Sequence, residues 1–389
     1  MTNNAPPRIL FFVAVDWFFC SHFMERALAA RDAGFEVIVV THVDKHGPRI
    51  EAAGLRLISV DIDRRSLNPL SAGKTLAKLV RIYRRERPVL LHQVALKPIL
   101  LGSLAARLSG IGHIVNAVVG GGYLLIAKSW KARLLRPALT MLLKLLLNPH
   151  GSKVVFENGD DLSSFVKTGL VRTADAVLIR GAGVDPHQYQ PAQPSQPPMV
   201  VMSARLLWDK GLGEFVEAAR ILRQAGVQAR FVVAGDRDPG NRASINVATL
   251  EAWKRQGDVE FWGFQDNMPA VLAQASIACL PSYREGLPKA LLEAMACGIP
   301  CVSTDVQGCR EAVRDGDNGL LVPPADAPAL AAALRTLLEQ PALRAQMGQR
   351  GRERINAEFA SALVLEQTLA LYRTMLGPRP ACTEKSQAI

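Results

Sequence analysis

Short β-branched apolar runs alternate with helical stretches along almost all of the 389 residues, and this alternation constrains the chain most. Parallel strands cannot be joined by a tight turn, so each needs a long, usually helical, connection back to its neighbour. The pattern predicts strands near Ile9–Val15, Glu36–Thr41, Leu55–Val60, Val89–His92, His113–Ala117, Lys153–Phe156 and Ala176–Ile179, with helices such as Phe23–Ala33 and Leu76–Glu86 between them. A second set follows near Met199–Ser203, Ala229–Ala234, Val259–Trp262, Ser276–Leu280, Pro300–Ser303 and Gly319–Val322. The expected fold class is therefore α/β: two Rossmann-like, doubly wound domains facing a cleft, with chemistry at the carboxyl ends of the strands. Five prolines within residues 186–198 exclude a helix interior or a central strand there, so that strip reads as a stiff linker. The expected domains are 1–185 and 199–375, with a mostly helical end from Ala327 to Met375 whose last helix packs back on the first domain. Residues 376–389 read as a flexible polar tail.

Charge is unevenly spread. The net charge is +11, and all of it lies in residues 1–190, which hold 25 Lys and Arg against 14 Asp and Glu. From Arg64 to Lys153 there are sixteen basic residues and one acid, Glu86, a field suited to an anionic partner. Hydrophobic and charged fractions of 49% and 21% exclude a disordered chain, a fibre and a small disulfide scaffold. The six cysteines form no C-x-x-C pair, and Met1–Pro7 lacks an apolar signal core, so a reducing cytoplasm is expected. No uninterrupted apolar run is long enough to span a membrane, since Arg136, Pro137 and Lys144 break the stretch Leu134–Leu147.

The densest constellation runs from Pro281 to Pro300, after an apolar strand. Gly286 permits close approach of a ligand, and Pro288 is expected to be the first helical residue, so the turn Gly286-Leu287-Pro288 offers free helix-start amides to phosphate or sugar hydroxyls. Glu293 sits in an otherwise apolar helix, where a carboxylate is costly unless hydrogen-bonded. Ribose hydroxyls would satisfy it; so would an Arg or Lys from a neighbouring element. Arg205 and Lys210 follow a strand and precede a glycine-flanked helix start, where they could neutralise a diphosphate or pair with Asp209 or Glu214.

Pro-Ser-x-x-Glu285-Gly-x-Pro-x-x-x-x-Glu293-Ala-Met-Ala-x-Gly-x-Pro resembles the E-x7-E signature of family 4 retaining glycosyltransferases of the GT-B architecture. Val201–Gly211, with Arg205 and Lys210, resembles the strand that brings two cations to the donor diphosphate. Val306–Glu311 with Asn318–Val322 resembles the G-x-x-E-x-V…G-L-L-V block. Gly235 stands where the family puts a glycine-rich turn near the nucleotide, and Phe264 follows the turn that would line the base. In the first half, Val15–His22 resembles the D-x-x-F-x-x-S-H loop of the subgroup that assembles bacterial surface polysaccharides and lipid-linked oligosaccharides. This implies acceptor-site roles for Asp16 and His22, while Ser21 reads as a cap for the next helix. Leu91–Pro98 resembles an H-x-H-x-P-K block, with His92 and Lys97 matched and Val94 in place of the second histidine. Gly121 and Tyr123 lie in a V-x-G-x-G-Y loop that either approaches the acceptor or bends sharply. Lys128–Leu147 is Leu-rich and basic, an interfacial helix or a packed crossover with a solvated face.

The resemblance implies an enzyme that moves a sugar from a nucleotide-sugar, expected to be UDP-linked, to a polyprenyl-diphosphate-linked saccharide. It further implies retention of configuration, with no cofactor and no metal. Glu285 would hold donor-sugar hydroxyls, Glu293 the ribose, and Arg205 and Lys210 the leaving diphosphate. The partners expected are the donor, the lipid-linked acceptor and an anionic membrane surface contacted through Arg64–Lys153, on the cytoplasmic face. A nucleotide-sugar 2-epimerase of the same architecture and a basic nucleic-acid-binding protein are the alternatives; no recognisable nucleic-acid motif accompanies the charge, so nucleic acid is not expected.

Overall fold

The computed structural model describes residues 6–62, 68–119 and 130–377. The first sheet contains β1 (Arg8–Val13), β2 (Glu36–Thr41), β3 (Arg56–Ser59), β4 (Leu90–Val94), β5 (Ile114–Val118), β6 (Ser152–Phe156) and β7 (Ala176–Leu178), in the order β3-β2-β1-β4-β5-β6-β7. The second contains β8 (Met199–Ser203), β9 (Arg230–Ala234), β10 (Glu260–Gly263), β11 (Ile277–Leu280), β12 (Cys301–Thr304) and β13 (Gly319–Val322), in the order β10-β9-β8-β11-β12-β13. Every pairing within both sheets is parallel. In each sheet the first strand is central and the order reverses beside it, between β1 and β4 and between β8 and β11. Loops diverge at such switch points and leave a crevice.

The strands are covered on both faces, so they read as unbroken apolar runs rather than alternations. Ile9–Val13 of β1 and Met199–Met202 of β8 are at most 1% exposed. The second core adds Phe215 and the inward side of the helix Lys289–Ala296, whose Leu291, Leu292, Ala294, Met295 and Ala296 are all buried.

The chain divides into two compact units, one of residues 1–156, 163–179 and 365–389, the other of residues 157–162 and 180–364. The chain therefore passes from one unit to the other after Phe156, Leu162, Ile179 and Val364. Residues 186–198, read above as an interdomain linker, belong to the second unit and are fastened to it. Arg352 donates to the carbonyls of Tyr189 (2.9 Å) and Pro186 (3.2 Å) and to Gln190 Oε1 (3.0 Å), and Ser195 donates its N–H to the Gln274 carbonyl at 3.1 Å. Prolines exclude regular structure, but their free carbonyls are good acceptors for a distant guanidinium.

Two local expectations change. Asp16–His22, read as a loop, is a helix, and the next one, Met24–Asp32, has Phe23 at its cap position, so Ser21 does not cap it. Asn68 caps the helix Pro69–Glu86 through its side chain (2.9 Å to Leu70 N), moving that start upstream of the expected Leu76. The C-terminal region is mostly helical as expected, in the segments Ala327–Glu339, Pro341–Arg354, a π-helical turn at Ile355–Phe359, then Ser361–Leu376.

The one acid of the basic block anchors the first sheet. The Glu86 carboxylate, 2% exposed, accepts from Arg56 (2.8 and 2.9 Å) and Arg85 (2.8 Å), and Arg8 lies 3.7 Å away. Glu36 accepts from Arg8 at 2.8 Å and Arg56 at 3.2 Å. Burial pushes the Glu86 carboxyl up, but the hydrogen bonds from Arg85 and Arg56 outweigh it, and the net shift is downward. Glu36 is also lowered, chiefly by its Arg8 hydrogen bond. A lowered carboxylate stabilises the fold above its unfolded-state pKa, and that contribution disappears as pH falls through the folded-state value. Glu86→Gln should therefore cost about 2–4 kcal/mol at neutral pH. It should also flatten the acid limb of a denaturant-midpoint-versus-pH curve; a limb as steep as that of the unaltered chain would show that these pairs contribute nothing.

Candidate active site

The loops leaving β8, β9, β10, β11 and β12 carry the candidate residues of the second unit. After β11 the chain turns at Pro281–Leu287 and enters the helix Lys289–Ala296. Pro288 takes the cap position (φ −75°, ψ 102°) and not the first helical one. Glu285 Oε1 lies 2.5 Å from Lys210 Nζ and accepts from Ser282 Oγ at 2.6 Å, with side-chain exposures of 11% for Glu285 and 21% for Lys210. Lys210 thus answers Glu285, and of its expected partners Glu214 is bonded elsewhere. Glu214 accepts from Tyr283 OH at 2.6 Å, and the Asp209 carbonyl accepts from Tyr283 N at 2.9 Å. Burial first, then Glu214, pushes the Tyr283 phenol up to about 12, so it stays protonated as the donor.

Arg205, just past β8, pairs through Nη1 with Asp238 Oδ2 at 2.6 Å. Asp238 lies in the turn that opens at Gly235, whose N–H donates to the Gly263 carbonyl at 2.8 Å. Gly235 has a φ of +154° and lies against the Ala204 carbonyl oxygen, where a side chain would overlap it. Gly211, at φ +72°, meets the Pro281 carbonyl in the same way. These two glycines let the β8, β9 and β11 loops close on one another. Phe264, after β10, is 62% exposed.

Glu293 lies on the same helix as the turn it follows, and is buried. Its Oε1 accepts from Tyr189 OH at 2.9 Å, with Lys289 Nζ at 3.7 Å one turn earlier. Burial pushes its carboxyl above the ordinary value, against the opposing pull of Lys289 and the Tyr189 hydrogen bond. A carboxylate has about four acceptor positions, so these partners leave capacity for incoming hydroxyls. Among the described residues no three of His, Cys, Asp and Glu group as a metal-holding set.

Residues 185–354 match the family model described as "Glycosyl transferases group 1", and residues 8–158 match "Glycosyl transferase 4-like". The chain belongs to the group 1 and 4-like glycosyltransferases. Among its relatives is the N,N'-diacetylbacillosaminyl-diphospho-undecaprenol alpha-1,3-N-acetylgalactosaminyltransferase of Campylobacter jejuni, 28% identical over 358 residues, 88% of this chain and 92% of that protein. Solved structures with the same fold include Anabaena HepE in complex with UDP-glucose, at a TM-score of 0.78 and 20% identity, covering 94% of this chain and 99% of that one. Sucrose-phosphate synthase from Thermosynechococcus elongatus superposes at 0.75 and 21% identity, over 95% and 99%. The two-sheet GT-B architecture expected from the motifs is that of these neighbours.

In the transferase's first unit the acceptor candidates are placed less uniformly. Asp16 is fully buried, and both carboxylate oxygens serve the backbone: Oδ2 accepts from Asp44 N and His46 N at 2.8 Å each, and Oδ1 from Trp17 N at 2.7 Å. It anchors the loop after β2. His22 ends that helix with its ring stacked on Phe18, centroids 4.3 Å apart. His92 is 3% exposed, stacks on Phe11 at 5.0 Å, and places Nδ1 2.5 Å from Tyr372 OH. Burial, with Arg26 nearby, holds its imidazole well below the ordinary value, which favours the neutral ring. Lys97 is half-buried in the first turn after Ala95, whose φ of +72° is a strained conformation for a non-glycine residue. Val94, in place of the second histidine, is wholly buried. Gly121 and Tyr123 lie outside the described residues, as do Arg64 and Lys128.

Sequence reading missed Tyr189, Ser282, Asp238 and Gly308. Tyr189 was obscured by its prolines, whereas Ser282 and Gly308 lay inside motifs already singled out. Gly308 has a φ of +77°, and its Cα faces the turn so closely that a Cβ would overlap the Gly286 carbonyl and sit 2.6 Å from the Glu285 carbonyl. Gly308→Ala should therefore displace Glu285, lowering donor turnover at least ~10-fold and stability by about 2–3 kcal/mol. Gly298→Ala is the control: φ is +71°, but the nearest atom is 3.7 Å away, so only the left-handed cost of about 1 kcal/mol applies. Turnover and thermal unfolding of both variants check this, and equal losses of activity would refute the steric argument.

Proposed function

We propose that this glycosyltransferase takes a UDP-linked N-acetylhexosamine and adds it, with retention and without a metal, to a polyprenyl-diphosphate-linked saccharide. The observation that carries the reading is the contact, within one unit, of Lys210 from the loop after β8 with Glu285 from the loop after β11 (2.5 Å), with Arg205 just past β8 and Glu293 in the helix that follows β11. Two cations beside a helix start suit a diphosphate leaving group. Glu285, already hydrogen-bonded to Ser282 and Lys210, is oriented to accept from sugar hydroxyls near the reacting carbon. Glu293 accepts from adjacent ribose hydroxyls. The acceptor hydroxyl attacks the anomeric carbon from the face the diphosphate leaves, the bond from that carbon to the diphosphate oxygen breaks, the hydroxyl proton passes to the departing oxygen, and Arg205 and Lys210 stabilise the negative charge that develops on the diphosphate. The Campylobacter relative's diphospho-undecaprenol substrate and the UDP-glucose held by Anabaena HepE support the choice of acceptor and nucleotide.

The surface of the first unit supports a peripheral association with anionic membrane. The helix Pro69–Glu86 exposes Lys74, Lys78, Arg81 and Arg85 at helical spacing along one side. The helix Trp130–Leu146 exposes Met141 (58%), Leu142 (46%) and Leu145 (51%) around Lys144. Among the described residues no helix is long and apolar enough to cross a membrane. Cations near apolar side chains match an anionic headgroup boundary.

Calorimetry with UDP, GDP and ADP in chelator tests the donor half of the proposal. UDP alone should bind, and Glu293→Ala should weaken it about 10-fold or more; binding that requires a divalent cation, or an unaltered mutant, would refute the assignment. Co-sedimentation tests the membrane half: Lys74→Glu/Lys78→Glu/Arg81→Glu should abolish recovery with phosphatidylglycerol vesicles. Equal recovery of the unaltered chain with phosphatidylcholine vesicles would count against an electrostatic contact.

A further inference from the structure

Asn158 stands apart from every motif noted in the sequence. It follows β6, precedes the helix Gly159–Lys167, is 1% exposed, and falls in the short segment 157–162 that groups with the second unit. Its side-chain amide is fully used. Nδ2 donates to the Gly286 carbonyl at 2.8 Å and to Asp161 Oδ2 at 3.0 Å, while Oδ1 accepts from Asp161 N at 2.7 Å. An amide nitrogen has two hydrogens, so neither remains for another partner. The segment is itself held, because Gly159 N donates to Glu311 Oε2 at 3.2 Å and Arg180 Nε donates to Glu311 Oε1 at 2.7 Å.

The Gly286 carbonyl is thus drawn toward a buried side chain that is 128 residues away in sequence. In a planar trans peptide the C=O and the N–H point in opposite directions. Fixing the Gly286 carbonyl on Asn158 therefore directs the N–H of Leu287 the other way, away from Asn158. Gly308 closes the remaining side of the turn with its Cα.

We propose that Asn158 is a positioning residue for the transferase: by holding the Gly286 carbonyl it aims the Leu287 amide at the diphosphate of the donor. This rests on the reading of the Glu285–Pro288 turn as part of the donor site. Asn158 touches no substrate and acts through one peptide unit. A hydrogen bond to an anionic diphosphate is a strong one, and a peptide that rotates loses it.

The test is the exchange Asn158→Asp/Asp161→Asn in the full-length chain. It keeps an amide–carboxylate pair between positions 158 and 161, and the carboxylate now at position 158 can still accept from the backbone N–H of residue 161. What is lost is the donor to the Gly286 carbonyl. Dissociation constants for UDP by calorimetry and for uridine by NMR titration give the readout. The exchange should raise the UDP constant about 10-fold and leave the uridine constant within about 2-fold, because uridine has no diphosphate. Asn158→Ala should do the same if it folds. Unchanged UDP binding, an equal loss for UDP and uridine, or failure of both variants to fold would each overturn the proposal and make Asn158 merely structural. Glu293→Ala separates this from the donor-site reading, since it should weaken uridine and UDP together. If neither compound binds the unaltered chain, or Glu293→Ala binds both normally, the donor-site reading itself fails.

Discussion

Parallel pairing of β8 with β9 on one side and β11 on the other brings three carboxyl ends together, and the second unit's chemistry follows from that juxtaposition. Each strand must be left by a loop before its return helix, so Arg205, Gly235 and Pro281–Glu285 emerge beside one another. Backbones that close can pass only where a Cβ is missing. Gly211 against the Pro281 carbonyl and Gly235 against the Ala204 carbonyl are the points of passage. The ion pairs then join loops that are already in register: Lys210 with Glu285, Arg205 with Asp238.

The two acids of the signature occupy different environments. Glu285 is partly exposed and paired with Lys210 at 2.5 Å. Glu293 is buried, its charged form is disfavoured, and Tyr189 and Lys289 only partly compensate. Desolvating a carboxylate costs several kcal/mol even after relaxation, far more than one neutral hydrogen bond of about 1 kcal/mol returns. A group kept in such a place gains most from a ligand with several hydroxyl donors. That asymmetry is the physical content of the assignment of Glu293 to ribose and Glu285 to the reacting sugar.

Strand positions and the position of the E-x7-E segment were legible because both depend on short-range patterns: apolar runs of strand length, a glycine at a turn, a proline before a helix. The partners were not, because they depend on residues distant in sequence. Nothing near Arg205 announces Asp238, and nothing in Pro281–Pro300 announces Asn158 or Tyr189. The strip 186–198 shows the limit of composition most clearly. Five prolines rule out helix and strand correctly, yet say nothing of Arg352, whose guanidinium collects the carbonyls those prolines leave open. Asp16 and His92 show the reverse case, where the motif position was legible and the structure adds the partners, backbone amides for Asp16 and Tyr372 for His92.

The paired state of the site has a kinetic corollary. Arg205 with Asp238 and Lys210 with Glu285 form two closed dipoles, so the four groups present almost no monopole to solution. A nucleotide diphosphate approaching from beyond a Debye length of about 8 Å is therefore not drawn by these cations. Attraction develops after contact, when phosphate oxygens compete with the carboxylates for the same N–H groups. On the proposed donor reading, discrimination between a diphosphate and other anions would rest on geometry inside the site rather than on capture from a distance.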